Sequence, residues 1–339
     1  PLVNVPVVRE WMADLSNQQS VVWRAQAARE TVALAVTNAT LALAASRLTL
    51  EFADEQLFNF NELLNYVQTR TQSGISSQAD LERTRTRVLL ARQQRVEQQA
   101  NYRNALLEVE RLTGQKPASL QLPFLNQLPG LPATQGELRS LVAEQSFDLR
   151  TLREDIKAQE QSVSAQYNRY LPTVGLSLER DQGENIRGIN PALADKRIML
   201  VVGWETSLGG KEYYAAKGAQ SELVNRQAKL SEETERVMQG IDADFALLQS
   251  ASLRVVTGDA EQKAAAAVIK SVQEQLKSGR MGSLLEALDA FDRYFAARQR
   301  LAQTLSQQMQ AQAQLLRRLG VLSQVQAQAA VQLDTPTSK

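Results

Sequence analysis

Proline placement constrains this chain more than any other feature, because a proline inside a helix removes a backbone hydrogen bond and clashes with the preceding turn. None occurs from Val7 to Lys116, from Ala133 to Leu171 or from Ala192 to Thr335, whereas Pro117, Pro123, Pro129 and Pro132 crowd one short stretch. Alanine, glutamine, leucine, arginine and glutamate fill the uninterrupted blocks, the composition of long helices and coiled coils. The first block contains only two glycines, Gly74 and Gly114, and Gly74 lies in Thr71-Gln72-Ser73-Gly74-Ile75-Ser76-Ser77, which reads as a turn between two helical arms with its tip near 73–77. The arm from Arg9 to Gln72 would extend about 95 Å at roughly 1.5 Å per residue. A helix of that length cannot fold back on one globular core and predicts a coiled-coil partner.

The last block repeats the plan, with a turn at 278–283. Its returning arm carries a heptad row, Leu288, Phe295, Ala302, Met309 and Leu316, accompanied by Phe291, Leu305 and Leu319. The outgoing arm places Ile241, Leu248, Val255, Ile269 and Leu276 in one row, interrupted by Gln262. These stripes read as packing seams and not as a cofactor box. The two halves also match each other: Ser73-Gly74 with Ser278-Gly279, Ala91-Arg92-Gln93 with Ala297-Arg298-Gln299, and Gly114 with Gly320. The offset is 205 residues at the turn and 206 beyond it, so the second turn is one residue longer than the first.

Between Leu171 and Gly210 the period changes to two. Val174, Leu176 and Leu178 alternate with small or polar residues after Pro172, and Ile198, Leu200, Val202 and Trp204 alternate before Gly209-Gly210. Strands are predicted over Thr173 to Asp181 and Ile198 to Leu208, with the polar stretch 182–197 as a long hairpin loop. A lone hairpin is marginal in water, so this one must join strands from elsewhere.

The composition closes off most chemistry. Histidine and cysteine are absent, which removes imidazole acid–base work, thiol nucleophiles, Cys/His metal sites and Ser-His-Asp triads together. With 38 basic and 37 acidic residues, no charge excess points to nucleic acid. No stretch approaches eighteen consecutive apolar residues, so no transmembrane helix is predicted. The expectation is a non-enzyme without a cofactor or a bound metal.

A duplicated helical hairpin with a strand pair between its halves resembles the plan of the TolC-family outer-membrane channels. Tyr170-Leu171-Pro172-Thr173-Val174 resembles the start of that family's second strand pair, and Val202-Gly203-Trp204-Glu205-Thr206-Ser207-Leu208-Gly209-Gly210 resembles its exit. Pro1-Leu2-Val3-Asn4 is similar to the exit from the first pair. Ser283-Leu284-Leu285-Glu286-Ala287-Leu288-Asp289-Ala290, followed by Ala297-Arg298-Gln299 and Leu319-Gly320, is close to the family's last hairpin. The resemblance implies a mainly α fold of long coiled-coil hairpins forming an α-barrel, with a β-hairpin contributing to a trimeric transmembrane β-barrel.

On that plan, residues 1–116 form the first repeat, 117–135 a proline-rich equatorial linker and 136–171 a helix leading to the barrel. Residues 172–210 form the transmembrane hairpin, 211–320 the second repeat and 321–339 a C-terminal tail. The family's first helix and most of its first strand pair would precede residue 1, making the chain an N-terminally truncated fragment.

The resemblance implies a passive exit duct in the Gram-negative outer membrane with a long periplasmic extension. The partners would be two further copies in a homotrimer, a periplasmic adaptor, an inner-membrane transporter of ABC or RND type reached through that adaptor, and outer-membrane lipid. Protein export by a type I system, in the adhesin-exporter branch, is the leading function, with multidrug efflux as its alternative within the family. A periplasmic adaptor or coiled-coil scaffold is the alternative of another class, against which two full hairpins and the strand pair weigh.

In the family the hairpin tips converge into a gate narrowed by acidic rings that attract cations. The residues falling there are Asp80, Glu286 and Asp289, with Glu286 and Asp289 the candidates for attracting cations. A second role is open to two of them: Ser77-Gln78-Ala79-Asp80 and Ser283-Leu284-Leu285-Glu286 both read as capping boxes. Gly282 stands where better-known members carry an arginine of the closed-state latch, and Leu276 stands in place of its tyrosine. Arg280 is the nearest substitute, although an arginine in a turn is also what solvent alone accommodates.

Overall fold

The computed structural model describes residues 1–115, 131–132, 134–183, 193–204, 209–278 and 283–325. In chain order its elements are α1 (Val5–Gln72), α2 (Gln78–Thr113), α3 (Gln135–Gln145), α4 (Phe147–Asn168), β1 (Thr173–Gly183), β2 (Leu193–Gly203), α5 (Lys211–Lys277) and α6 (Leu284–Leu319). They divide into two compact units, one of residues 1–28 and 141–238, the other of 29–140 and 239–339.

Local chemistry sets the helix ends. α2 begins at Ser77, whose Oγ accepts the Asp80 amide at 3.1 Å, and stops at Gly114 with φ +70°, a left-handed conformation that a Cβ disfavours. α6 begins at Ser283, whose Oγ accepts the Glu286 amide at 3.4 Å, and stops at Gly320 with φ +77°. Both returning helices have 36 residues, and the outgoing ones have 68 and 67.

The duplication extends to burial: Leu81, Thr84, Ala91 and Val109 on α2 are buried, and so are their equivalents Ala287, Ala290, Ala297 and Leu315 on α6. α6 buries a second seam as well, through Leu288, Phe291, Phe295, Ala302 and Leu316. The equivalent positions on α2 include Leu89 and Val96, which are exposed.

In the second unit all four long helices meet in one apolar cluster. It is built from Phe60, Leu63 and Val67 of α1, Leu81 and Val88 of α2, Ile269 of α5 and Leu288, Phe291 and Phe295 of α6. The Phe60 and Phe291 rings lie 5.7 Å apart and tilted. Further along, Ala33, Ala313, Leu316 and Leu322 form a smaller cluster. One 18-residue window of α1 reaches a mean hydropathy of 1.3 with a third of it buried, in a helix that contributes Ala33, Leu41, Leu43, Ala44 and Ala53 to the core.

The expected C-terminal tail from 321 starts instead as a docked segment. Glu30, 2% exposed, accepts the Leu322 amide at 3.0 Å, the Ser323 amide at 3.1 Å and the Ser323 hydroxyl at 2.5 Å. A buried carboxylate needs donors in place of the water it has lost, and these donors hold residues 322–325 in a helical turn against α1.

In the first unit α4 packs on the ends of α1 and α5. Ser20 Oγ donates to Asp155 at 2.5 Å, Arg226 donates to the Asp155 carbonyl at 3.0 Å and Gln159 donates to the Ala219 carbonyl at 2.9 Å. Buried Ala13, Ala158, Ala165 and Ala216 permit close approach. The single helix expected over 136–171 is two helices. Ser146 takes an extended ψ of 122°, and Arg150 and Arg153 cover the freed carbonyls of Glu144 and Ala143 at 3.0 and 2.7 Å. Trp23 stacks on Phe147 beside this break, with Arg150 over the indole face.

β1 and β2 pair antiparallel from Thr173 opposite Gly203 to Gly183 opposite Leu193. β2 therefore begins earlier than the expected Ile198 and ends before the expected Leu208, and the loop expected over 182–197 is shorter. The alternation marked only the apolar stretch, whereas the ladder continues through polar cross-strand pairs such as Glu179 with Arg197. Val3 bridges β1 on its other edge, exchanging amide–carbonyl bonds of 3.0 Å in both directions with Val174. β1 thus has a partner on each side. β2 has one only, among the described residues. Residues 205–208 and most of the proline-rich linker lie outside the described residues.

Because Phe291 is fully buried where the four helices meet, Phe291→Ala should lower stability by about 3–5 kcal/mol, measured as the shift of the denaturant midpoint.

Candidate functional site

The candidates named from sequence lie at the hairpin ends of the second unit. Asp80 is in the first turn of α2; its carboxylate accepts the Ser77 hydroxyl at 2.8 Å and pairs with Arg83 at 3.4 Å. It acts as a capping residue in the single chain, where the partial positive charge of the helix start also favours it. Glu286 holds the matching position on α6 and is exposed. Asp289 lies one turn on, also exposed, and pairs with Arg293 at 2.8 Å.

Glu286, Asp289 and Arg293 line one groove of about 860 Å³ between α5 and α6, with Glu261 on the facing helix and Val268 and Val272 among its apolar lining. Asp80 is not among its lining residues. Arg280 and Gly282 lie outside the described residues. No group of three metal-ligating side chains gathers among the described residues, and Asp289 already has a cationic neighbour.

Leu276 lines a second groove, of about 710 Å³, with Tyr66, Arg70 and Phe291. There Arg70 donates to the Tyr66 hydroxyl at 2.9 Å and lies over its ring. A tyrosine–arginine pair thus stands beside Leu276 but on α1.

Sequence reasoning missed Asp292. It is half-buried and pairs with Arg87 of α2 at 3.1 Å, tying the returning helices of the two repeats together. It also lines a cavity of about 140 Å³ with Gln56, Gln94, Gln98 and Gln299, between Phe52 and Phe295. Burial pushes its carboxyl above the usual aspartate range, the Arg87 guanidinium opposes this, and Asp289 adds to it. The spacing of three from Glu286 through Asp289 to Asp292 was the available signal. Nearby, Arg298 of α6 pairs with Glu55 of α1 and stacks on Phe52, 3.9 Å from the ring centroid.

No protein-family profile matches the chain. It is 24% identical over 286 residues to the proteases secretion protein PrtF of Dickeya chrysanthemi, covering 81% of this chain and 61% of that protein. It thus spans less than two thirds of that relative's length. A membrane protein from Pseudomonas aeruginosa superposes with a TM-score of 0.78 at 17% identity, covering 93% of this chain and 71% of its own. The open state of the Neisseria gonorrhoeae MtrE outer-membrane channel superposes at 0.77 and 15% identity, with coverages of 93% and 71%.

The fold is that of the TolC-like outer-membrane channels. The proteins it resembles are a membrane protein, an outer-membrane channel and a secretion protein, none of them named as an enzyme. In this channel fold Asp292 supplies a pH-dependent contact. A raised pKa means the folded chain keeps this proton where the unfolded chain has lost it, so folding takes up a proton and this group's contribution rises as pH falls through the window.

Asp292→Asn should therefore leave stability at neutral pH within about 0.5 kcal/mol of the parent, the partner Arg87 being solvent-screened. It should also reduce the gain in melting temperature on mild acidification. Melts of both proteins at neutral and mildly acidic pH check this; a large loss at neutral pH would show the ion pair outweighing burial.

Proposed function

We propose that the chain is most of one protomer of a trimeric exit duct in the Gram-negative outer membrane, conducting proteins passively from a type I secretion system. The observation that carries the reading is the channel fold together with a hairpin whose one face is apolar and exposed. Val174, Leu176 and Leu178 pair across the ladder with Val202, Leu200 and Ile198. A bilayer is the medium in which such a face is stable, provided the strands close into a barrel without edges. β2 has an edge to offer a neighbouring copy. The PrtF likeness favours protein secretion over small-molecule efflux as the cargo.

The helices would form the periplasmic tunnel, joined through a periplasmic adaptor to an ABC-type inner-membrane transporter. Leu89 and Val96 on α2, exposed in one chain where α6 buries its equivalents, would be covered by the next copy. Replacing both with glutamate should prevent trimer assembly while leaving the helix content of the chain intact. Light scattering and circular dichroism in detergent read the two.

Glu286 and Asp289, with Asp80 from the first repeat, would narrow the periplasmic aperture, three copies of each forming acidic rings. With Gly282 and Leu276 at the latch positions, the closed state would instead be held by Arg87–Asp292 and by Tyr66–Arg70. Glu286→Ala with Asp289→Ala should raise single-channel conductance and weaken block by divalent cations in planar bilayers. Unchanged conductance with a lower melting temperature would leave Glu286 as a capping residue and Asp289 as part of a solvated helix face. Loss of protein secretion, without altered drug susceptibility, on deleting the gene would fix the cargo class; the reverse pattern would replace secretion with efflux.

A further inference from the structure

Directly opposite residues in an antiparallel ladder share a face. On the apolar face of the hairpin the pairs run Val174 with Val202, Leu176 with Leu200, Leu178 with Ile198, and then Arg180 with Lys196. At the other end of the same face stands Trp204, exposed, its indole N–H donating to the Tyr170 carbonyl at 3.1 Å. The carboxylates of the ladder, Glu179, Asp181 and Asp195, hold positions of the opposite face, where Arg197 pairs with Asp181 at 3.6 Å.

Arg180 and Lys196 are thus two like charges placed directly across from one another, an arrangement that destabilises a strand pair. Neither has an acidic partner among the described residues. The eight steps from Lys196 to Trp204 span about 26 Å along the strand, or roughly 20 Å across a bilayer at barrel tilt, close to the apolar height of outer-membrane barrels. An aromatic anchor at one edge and two unneutralised cations at the other place the cations where headgroup phosphates begin.

Resting on the channel reading above, the geometry points to Arg180 and Lys196 as a binding pair for the phosphate groups of anionic glycolipid in the outer leaflet. A guanidinium engages phosphate through two parallel hydrogen bonds and an ammonium acts as a point charge. Bound phosphate would remove the repulsion between the paired strands and fix the depth of the hairpin in the membrane.

The test uses the full-length protein in detergent micelles, titrated with phosphorylated lipid A, with dephosphorylated lipid A and with inorganic phosphate. Thermal midpoint and apparent affinity are the readouts. The parent should be stabilised by phosphorylated lipid A alone. Arg180→Gln with Lys196→Gln should weaken that affinity by roughly 30-fold, while Arg180→Lys retains most of it. Equal binding by the double variant, or an equal response to the dephosphorylated lipid or to free phosphate, would overturn the assignment. Insertion into phosphatidylcholine vesicles separates the two levels: a chain that inserts but ignores lipid A loses only this pair, whereas a chain that does not insert loses the channel reading too.

Discussion

The rest of this structure depends on one geometric constraint: a helix of 68 residues has no core of its own. Its buried positions depend on other helices, and a hairpin partner of 36 residues covers only part of that length. Part of the remainder is covered by different neighbours in the two units, by α4 near one end and by the paired hairpins near the other, while Trp11, Val21 and Phe58 stay exposed in the single chain. The demand is met by seams of small and medium side chains interleaved with polar ones. Arginine–carboxylate pairs along those seams, among them Arg95–Asp54, Arg298–Glu55 and Arg318–Asp244, are mostly part-exposed. Pairs of that kind select which helix lies beside which more than they add stability.

Much of this was legible from residue spacing, because turns and caps are local. Glycines at 74, 114 and 320 adopt positive φ for the reason that makes glycine a turn signal, and the serines before α2 and α6 cap those helices. The heptad row from Leu288 to Leu316 is buried or half-buried throughout. What stayed hidden depends on distant partners. Glu30 looks like one more surface acid until residues 322–323 arrive to donate to it. Ser146 breaks a helix that its neighbours would continue, because arginines a turn or two further on satisfy the carbonyls. The extent of β2 was misread because alternation reports the environment of a strand and not its hydrogen bonding.

The candidate gate divides along the same line. Glu286 and Asp289, with Asp80 as the first-repeat equivalent, could be named from resemblance to the family's hairpin tips, and the serine caps before Asp80 and Glu286 from spacing alone. Asp292 could not. Its importance comes from Arg87 on the other repeat and from the loss of water around it, neither of which a spacing of three announces.

Duplication followed by divergence gives the two returning helices different tasks. Both keep the seam that binds them to their own hairpin, through Leu81, Thr84, Ala91 and Val109 or their equivalents. Only α6 adds a second apolar seam, with aromatic rings that meet α1 across the repeat boundary at Phe60–Phe291. Substitutions at α2 equivalents such as Arg85, exposed where α6 carries Phe291, leave that helix held by fewer internal contacts and by one half-buried ion pair. Where a helix bundle shifts, the less tightly packed element is the one that moves at lower cost. A carboxylate poised between burial and a single guanidinium is then well placed to bias its position.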